Sequence, residues 1–117
     1  MDSIVKQLDL DLVLLATLEP SPLYGLEILK EVNIRTKGAL EFKGGSLYPA
    51  LHRLVKANWV ETYWEPSTNG GAPRKYYRLT DSGLSMYARK KEQWTRAKSA
   101  MESLIERLTF GRVSHVA

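Results

Sequence analysis

Apolar residues recur along this chain with two different periods, and the changes of period divide it into elements. From Ile4 to Leu18, Leu8, Leu12, Leu15 and Leu18 repeat at helical spacing, with Val13, Leu14 and Ala16 widening the face. Pro20 and Pro22 end that helix. Ser21 is the expected cap of the next, with Pro22 in its first turn. This second helix carries Leu26, Ile28, Leu29 and Val32 and is expected to end near Gly38. A third helix follows the turn Gly44-Gly45, with Ser46 as the expected N-cap and Pro49 in the first turn. Its apolar residues Leu47, Ala50, Leu51, Leu54 and Val55 share one face. Tyr48, Pro49, His52, Arg53 and Lys56 take the other. Ala57-Asn58 is the expected stop, because Asn tolerates the left-handed cap position.

Beyond Asn58 the period falls to two. Residues 59–65 and 75–79 are rich in aromatic and β-branched side chains and read as strands. The segment between them, with Pro66, Gly70, Gly71 and Pro73, reads as a loop, so the two strands form a hairpin with a long basic tip. Thr80 is the expected cap of a long last helix. On it Tyr87, Trp94, Met101 and Leu108 recur at a seven-residue interval, flanked by Leu84, Ala88, Ala97, Leu104 and Ile105. A stripe that long points to pairing with another helix, in this chain or in a partner. The organisation read from the pattern is a first domain over residues 1–80, a helix over 81–110 and a flexible tail over 111–117.

Charge sharpens the picture. Between Lys43 and Thr80 lie six Lys or Arg and two acids, which equals the whole net charge of +4, and the remaining bases and acids cancel. A local basic surface is the footprint of a polyanion binder. Three helices, a hairpin with a basic tip and a long helix make a mainly α fold with a small β-hairpin, the winged helix-turn-helix layout. In that layout the third helix enters the major groove and the hairpin tip touches the flanking backbone or minor groove. The candidate DNA-binding residues are therefore Lys43, Ser46, Tyr48, Pro49, His52, Arg53 and Lys56 from the third helix, with Arg74 and Lys75 from the tip. Ser46 fits a phosphate contact and plain helix capping equally well. Tyr76 and Tyr77 alternate sides of their strand, so one belongs to the core.

The same segments resemble a known family. Leu23-Tyr24-Gly25-Leu26-Glu27-Ile28 resembles the second-helix signature of the PadR family of transcriptional regulators. The stretch from Gly45 to Leu54 is similar to that family's recognition helix. The run from Gly70 to Thr80, completed by Gly83, is similar to its wing and the start of its last helix. The resemblance spans roughly Leu12 to Gly83, and the short tail is similar to the subgroup with a single C-terminal helix. Two departures stand out: Tyr24-Gly25-Leu26 where the family often has His-Gly-Tyr, and Trp59 where it often has Gly. The second implies that Asn58 takes over the turn or that Trp59 packs under the wing. The resemblance implies a homodimer, in most members a repressor, with its last helices paired across a two-fold axis; such a dimer is expected to bind double-stranded DNA at a palindromic operator. It also implies, for some members, a response to phenolic or hydrophobic, often cationic, compounds.

The dimer-interface candidates are Leu84, Tyr87, Trp94, Met101, Leu104, Ile105 and Leu108. Trp94 has two readings, an interface anchor or a stacking platform for a planar ligand between subunits. An enzyme is not expected. The chain has no cysteine and only two histidines, His52 and His115, and neither a phosphate-binding glycine motif nor a metal-ligand cluster, so no cofactor or metal is expected. Neither a signal peptide nor an apolar run long enough to span a bilayer is seen, so the expectation is a cytoplasmic domain without membrane contact. The alternative from another class is a protein–protein adaptor that keeps the winged fold but not DNA binding.

Overall fold

The structure is a computed structural model that describes residues 9–116, with side chains as far as residue 106. Its described elements run α1 (Leu10–Leu18), β1 (Leu23–Tyr24), α2 (Gly25–Arg35), α3 (Gly44–Lys56), β2 (Val60–Glu65), β3 (Arg74–Leu79) and α4 (Asp81–Val116). The strands form one antiparallel sheet in the order β1-β3-β2. The chain divides into two compact units between Tyr87 and Ala88. No helix among the described residues is long and apolar enough to cross a membrane.

The first helix starts at Leu10, because Asp9 is extended and its carboxylate accepts the Leu12 N–H at 3.1 Å. The part expected over residues 4–8 lies outside the described residues. Leu14, Leu15 and Leu18 bury the inner face of α1 against Ile28 and Val32 of α2 and Leu47, Ala50, Leu51 and Leu54 of α3. Arg35 ties the helices further, donating to the Ala16 and Thr17 carbonyls at the end of α1 while it pairs with Glu31. Those carbonyls lack helical partners of their own, so a guanidinium satisfies them well.

The second helix does not start at Ser21-Pro22, which stay exposed outside it. Leu23 and Tyr24 are instead drawn into the sheet opposite Tyr77 and Tyr76, and the helix begins only at Gly25. The Glu27 carboxylate then accepts the Tyr24 N–H at 3.1 Å, which ends the strand and opens the helix. A two-residue strand is too short to show a period of two.

The third helix also starts earlier than expected. Lys43 is its extended N-cap, and its carbonyl accepts the N–H groups of Ser46 and Leu47 at 3.0 Å. Ser46 is therefore the third helical residue and not the cap. Pro49 lies in the second turn, not the first, and withholds a hydrogen bond from the Gly45 carbonyl. Gly45 and Pro49 are both exposed, so water can serve that carbonyl.

The helix stops where the sequence predicts. Asn58 takes φ 64°, and the N–H groups of Asn58 and Trp59 return to the Val55 and Leu54 carbonyls at 3.0 Å. Trp59 packs against the core. Its carbonyl accepts the Thr80 N–H at 3.1 Å, and the Thr80 hydroxyl both donates to the Asn58 carbonyl and accepts the Gly83 N–H. Thr80 thus caps α4, as expected. The helix runs on to Val116, past the boundary expected at residue 110. No proline interrupts it, and one interior glycine such as Gly111 costs only about 1 kcal/mol.

Gly83 is the tight point of this junction. A methyl there would overlap the Trp59 carbonyl oxygen and lie 2.9 Å from its carbon, both backbone atoms with no rotamer to escape into. Gly83→Ala is expected to cost about 2 kcal/mol or more, as overpacking does. Thermal melts should show its midpoint several degrees below wild type. Gly45→Ala has open space and a helical position, so it should be neutral or stabilising by about 0.5–1 kcal/mol. Equal melting points for the two variants would contradict this packing.

Candidate nucleic-acid interface

The solvent face of α3 and the start of β3 carry the candidate residues; Arg74 and Lys75 belong to the strand and not to the loop at the tip, because they pair with Glu65 and Trp64. Lys43, Ser46, Tyr48, Pro49, His52, Arg53 and Lys56 are all exposed. The amphipathic pattern dictates this: Leu47, Ala50, Leu51 and Leu54 are driven into the core and the remaining positions must face water. The β2–β3 register sets Thr62 opposite Tyr77, Trp64 opposite Lys75 and Glu65 opposite Arg74. Because strand side chains alternate, Lys75 and Tyr77 share one face of the sheet, and Arg74, Tyr76 and Arg78 share the other.

The face with Lys75 looks toward α3. One open cleft is lined by Tyr48, Pro49, His52 and Val55 of α3 and by Thr62, Lys75 and Tyr77 of the hairpin. A second, beside the start of α2, is lined by Tyr24, Gly25 and Leu26 together with Tyr48, Arg74, Lys75 and Tyr77. The structure therefore brings Tyr48, Pro49, His52, Arg74 and Lys75 together. Lys43 and Lys56 sit at opposite ends of α3 and line neither cleft.

Arg53 has a partner within the chain. Its guanidinium donates to the Asp11 carboxylate of α1, although 58% of the side chain stays exposed. The remaining guanidinium N–H groups can still serve a phosphate. Arg74 lies over the Tyr24 ring at 4.6 Å and Arg78 over the Tyr63 ring at 4.7 Å, with Arg78 also paired to Glu61 at 2.8 Å. Tyr24, Tyr76 and Tyr63 run edge-to-face and then stacked, at 5.5 and 5.6 Å. The hairpin is thus braced by an aromatic ladder with a guanidinium at each end.

Sequence reasoning missed several residues of this surface. Tyr24, Gly25 and Leu26 reach it only because β1 pairs with β3, and Thr62 reaches it through strand register. The resemblance of the stretch from Leu23 to Ile28 to the family's second-helix signature was the one signal available for them, and Tyr24 and Leu26 are where it departs. On α4, Leu84, Trp94, Met101, Leu104 and Ile105 are exposed. Tyr87 is half-buried and packs against its own core. The Leu108 side chain lies outside the described residues. The Lys98 ammonium sits 5.3 Å from the Trp94 ring centroid, so a cation from the same helix already takes that ring.

Of the tyrosine pair, Tyr77 is the core member. Burial first, and the neighbouring Tyr48 phenol second, raise the Tyr77 pKa above the ordinary phenol range. An acid held neutral by the fold contributes stability that is intact below about pH 10 and is lost as pH rises through the folded-state pKa. Urea midpoints measured from pH 8 to 11 should therefore fall more steeply for wild type than for Tyr77→Phe. Parallel decline of the two chains would exclude Tyr77 as the cause.

Comparison with known proteins places this geometry. The family model described as the transcriptional regulator PadR-like family matches residues 14–89. An uncharacterized protein of Lysinibacillus sphaericus is 31% identical over 99 residues, covering 85% of this chain and 90% of that one. The crystal structure of a PadR family transcription regulator from Clostridium difficile is similar at 32% identity, with a TM-score of 0.70 over 81% of this chain and 96% of that one. Bacillus subtilis PadR, solved in complex with operator DNA, shares the fold at 22% identity and a TM-score of 0.62, over 68% of this chain and 45% of that one.

Proposed function

The chain belongs to the PadR-like family of transcriptional regulators, and from that premise we propose that it is a sequence-specific DNA-binding repressor, cytoplasmic and working as a homodimer on a palindromic operator. One observation carries this reading. Exposed groups of α3 (Tyr48, Pro49, His52) and a cation of the hairpin (Lys75) line a single open cleft, with no acidic residue in its lining. In a winged helix these two elements face the duplex together: helix side chains read base edges while the wing fixes the register on phosphates. The Bacillus subtilis protein of the same fold was solved in complex with operator DNA, which supports DNA as the partner.

The salt dependence of binding tests it. Affinity for a duplex enriched from a random pool should fall steeply with salt, because phosphate contacts release counterions. Replacing Arg74 and Lys75 together by Ala should weaken all sequences alike and flatten the slope by about one unit per lost contact. An unchanged slope takes the wing off the binding surface, and absence of any DNA retention at modest salt turns the reading toward an adaptor.

The dimer reading rests on α4. From Ala88 to Glu106 every side chain but Lys90 is exposed, and the apolar ones, Trp94, Met101, Leu104 and Ile105, show 48–57% of their surface. A solvated helix with an apolar stripe gains by covering it, and a second copy presents the same stripe across a two-fold axis. Leu84 extends that stripe toward the start of the helix. In such a seam two Trp94 rings form a platform for a planar hydrophobic or phenolic effector. A ligand there would couple reciprocally to DNA through the dimer geometry. A cationic ligand must displace Lys98 or use the other ring face. Met101→Glu should shift sedimentation to the monomer mass and abolish quenching of Trp94 fluorescence by planar aromatics, read in a Trp59→Phe/Trp64→Phe background. A Met101→Glu chain that stays dimeric removes α4 as the seam, and quenching that persists in the monomer removes the shared platform.

A further inference from the structure

The first turns of α2 and α3 meet over one side chain. A methyl built on Gly25 would overlap the Tyr48 hydroxyl oxygen and lie 2.8 and 2.9 Å from the ring carbons Cε1 and Cζ. A methyl on Gly44 would lie 3.2 Å from Cε2 on the other edge. Neither glycine has a positive φ, so the backbone does not demand glycine at either place. What both positions supply is room, and the Tyr48 ring fills it.

The consequences of filling that room differ from those at Gly83. There the obstacle is backbone; here it is the far end of a side chain that is 46% exposed and can swing into solvent. An alanine at position 25 would therefore move the ring and leave the fold in place. Tyr48 is also, with Lys75 and Tyr77, common to both clefts beside the hairpin. Moving it changes the shape of the whole surface between helix and wing without changing its charge.

We infer that Gly25 is a positioning residue for operator recognition: by lacking a side chain it holds the Tyr48 ring against the start of α2, at the place from which the phenol meets a base edge. The inference rests on the DNA-binding reading above. A phenol so placed can exchange hydrogen bonds with a base edge or pack its ring on a thymine methyl, and both depend on position within a fraction of an ångström. Phosphate attraction does not. The loss on displacement thus falls on sequence preference and spares affinity for DNA in general.

The test compares wild type, Gly25→Ala, Gly44→Ala, Tyr48→Ala and the Gly25→Ala/Tyr48→Ala double variant. The probes are a duplex enriched by the wild-type chain from a random pool and a scrambled duplex of equal composition, with anisotropy read at fixed salt. Gly25→Ala should lose about tenfold on the enriched duplex, keep its affinity for the scrambled one and melt within a few degrees of wild type. Gly44→Ala should lose less, because its clearance is larger. The double variant should bind no more weakly than Tyr48→Ala alone, since the methyl acts only through the ring. Retention of the full preference by Gly25→Ala overturns the inference. So does a stability loss from Gly25→Ala that persists in the Tyr48→Ala background, because the methyl then meets something else. If the wild-type chain enriches no sequence at all, the DNA-binding reading falls and the inference with it.

Discussion

The turn at Asn58 and Trp59 holds α3, the β2–β3 hairpin and the start of α4 by a handful of hydrogen bonds. Asn58 enters the left-handed region, so the Trp59 N–H can return to Leu54 and close α3. The Trp59 carbonyl then takes the Thr80 N–H, and Thr80 caps α4 while bonding back to Asn58. Gly83 permits the close approach of α4 to that carbonyl. The exit of β3 is thereby pinned to the end of α3, and helix and hairpin can present one surface. A tryptophan tolerates this position because its backbone is what the junction uses, while its indole is left to pack against the core.

The other end of the wing is braced differently. Backbone pairing holds β1 to β3 over only two residues, and side chains do the rest: Arg74 on Tyr24, Tyr24 on Tyr76, Tyr76 on Tyr63 and Arg78 on Tyr63. Aromatic pairs of this kind contribute about 0.5–1.5 kcal/mol each beyond their burial. A hairpin ordered before it meets a ligand loses less conformational entropy on binding, which favours a short basic wing with few contacts to offer. Arg78 is engaged by Glu61 and Tyr63 on one face of the hairpin, and Lys75 lies over the Tyr77 ring on the other, toward α3.

The second unit follows a simpler rule. A helix whose side chains are nearly all exposed has little tertiary packing of its own, and its stripe of apolar residues stays on the surface. The placement of Tyr87 against the core marks where that stripe leaves the first unit. The seven-residue column is thus two things in sequence, a packing residue followed by exposed ones.

Much of this was legible in the sequence because it depends on period and on local chemistry. The apolar face of α3, its stop at Asn58, the two long strands, the Thr80 cap and the exposure of Tyr48, Pro49, His52, Arg53 and Lys56 follow from residue spacing and from which side chains tolerate a cap or a turn. So does the concentration of positive charge in one segment. The tertiary structure decided what depends on distant partners. Leu23-Tyr24 became a strand because β3 offered it hydrogen bonds, and that moved the start of α2 from Ser21 to Gly25. Lys43 displaced Ser46 as the cap, its carbonyl taking the Ser46 and Leu47 N–H groups while Gly44 leaves room for the Tyr48 ring. Arg53 found Asp11, forty-two residues away in sequence, and the Tyr48 ring found the gap over Gly25. Local spacing specifies which face a residue takes; only the packed chain specifies what stands opposite that face.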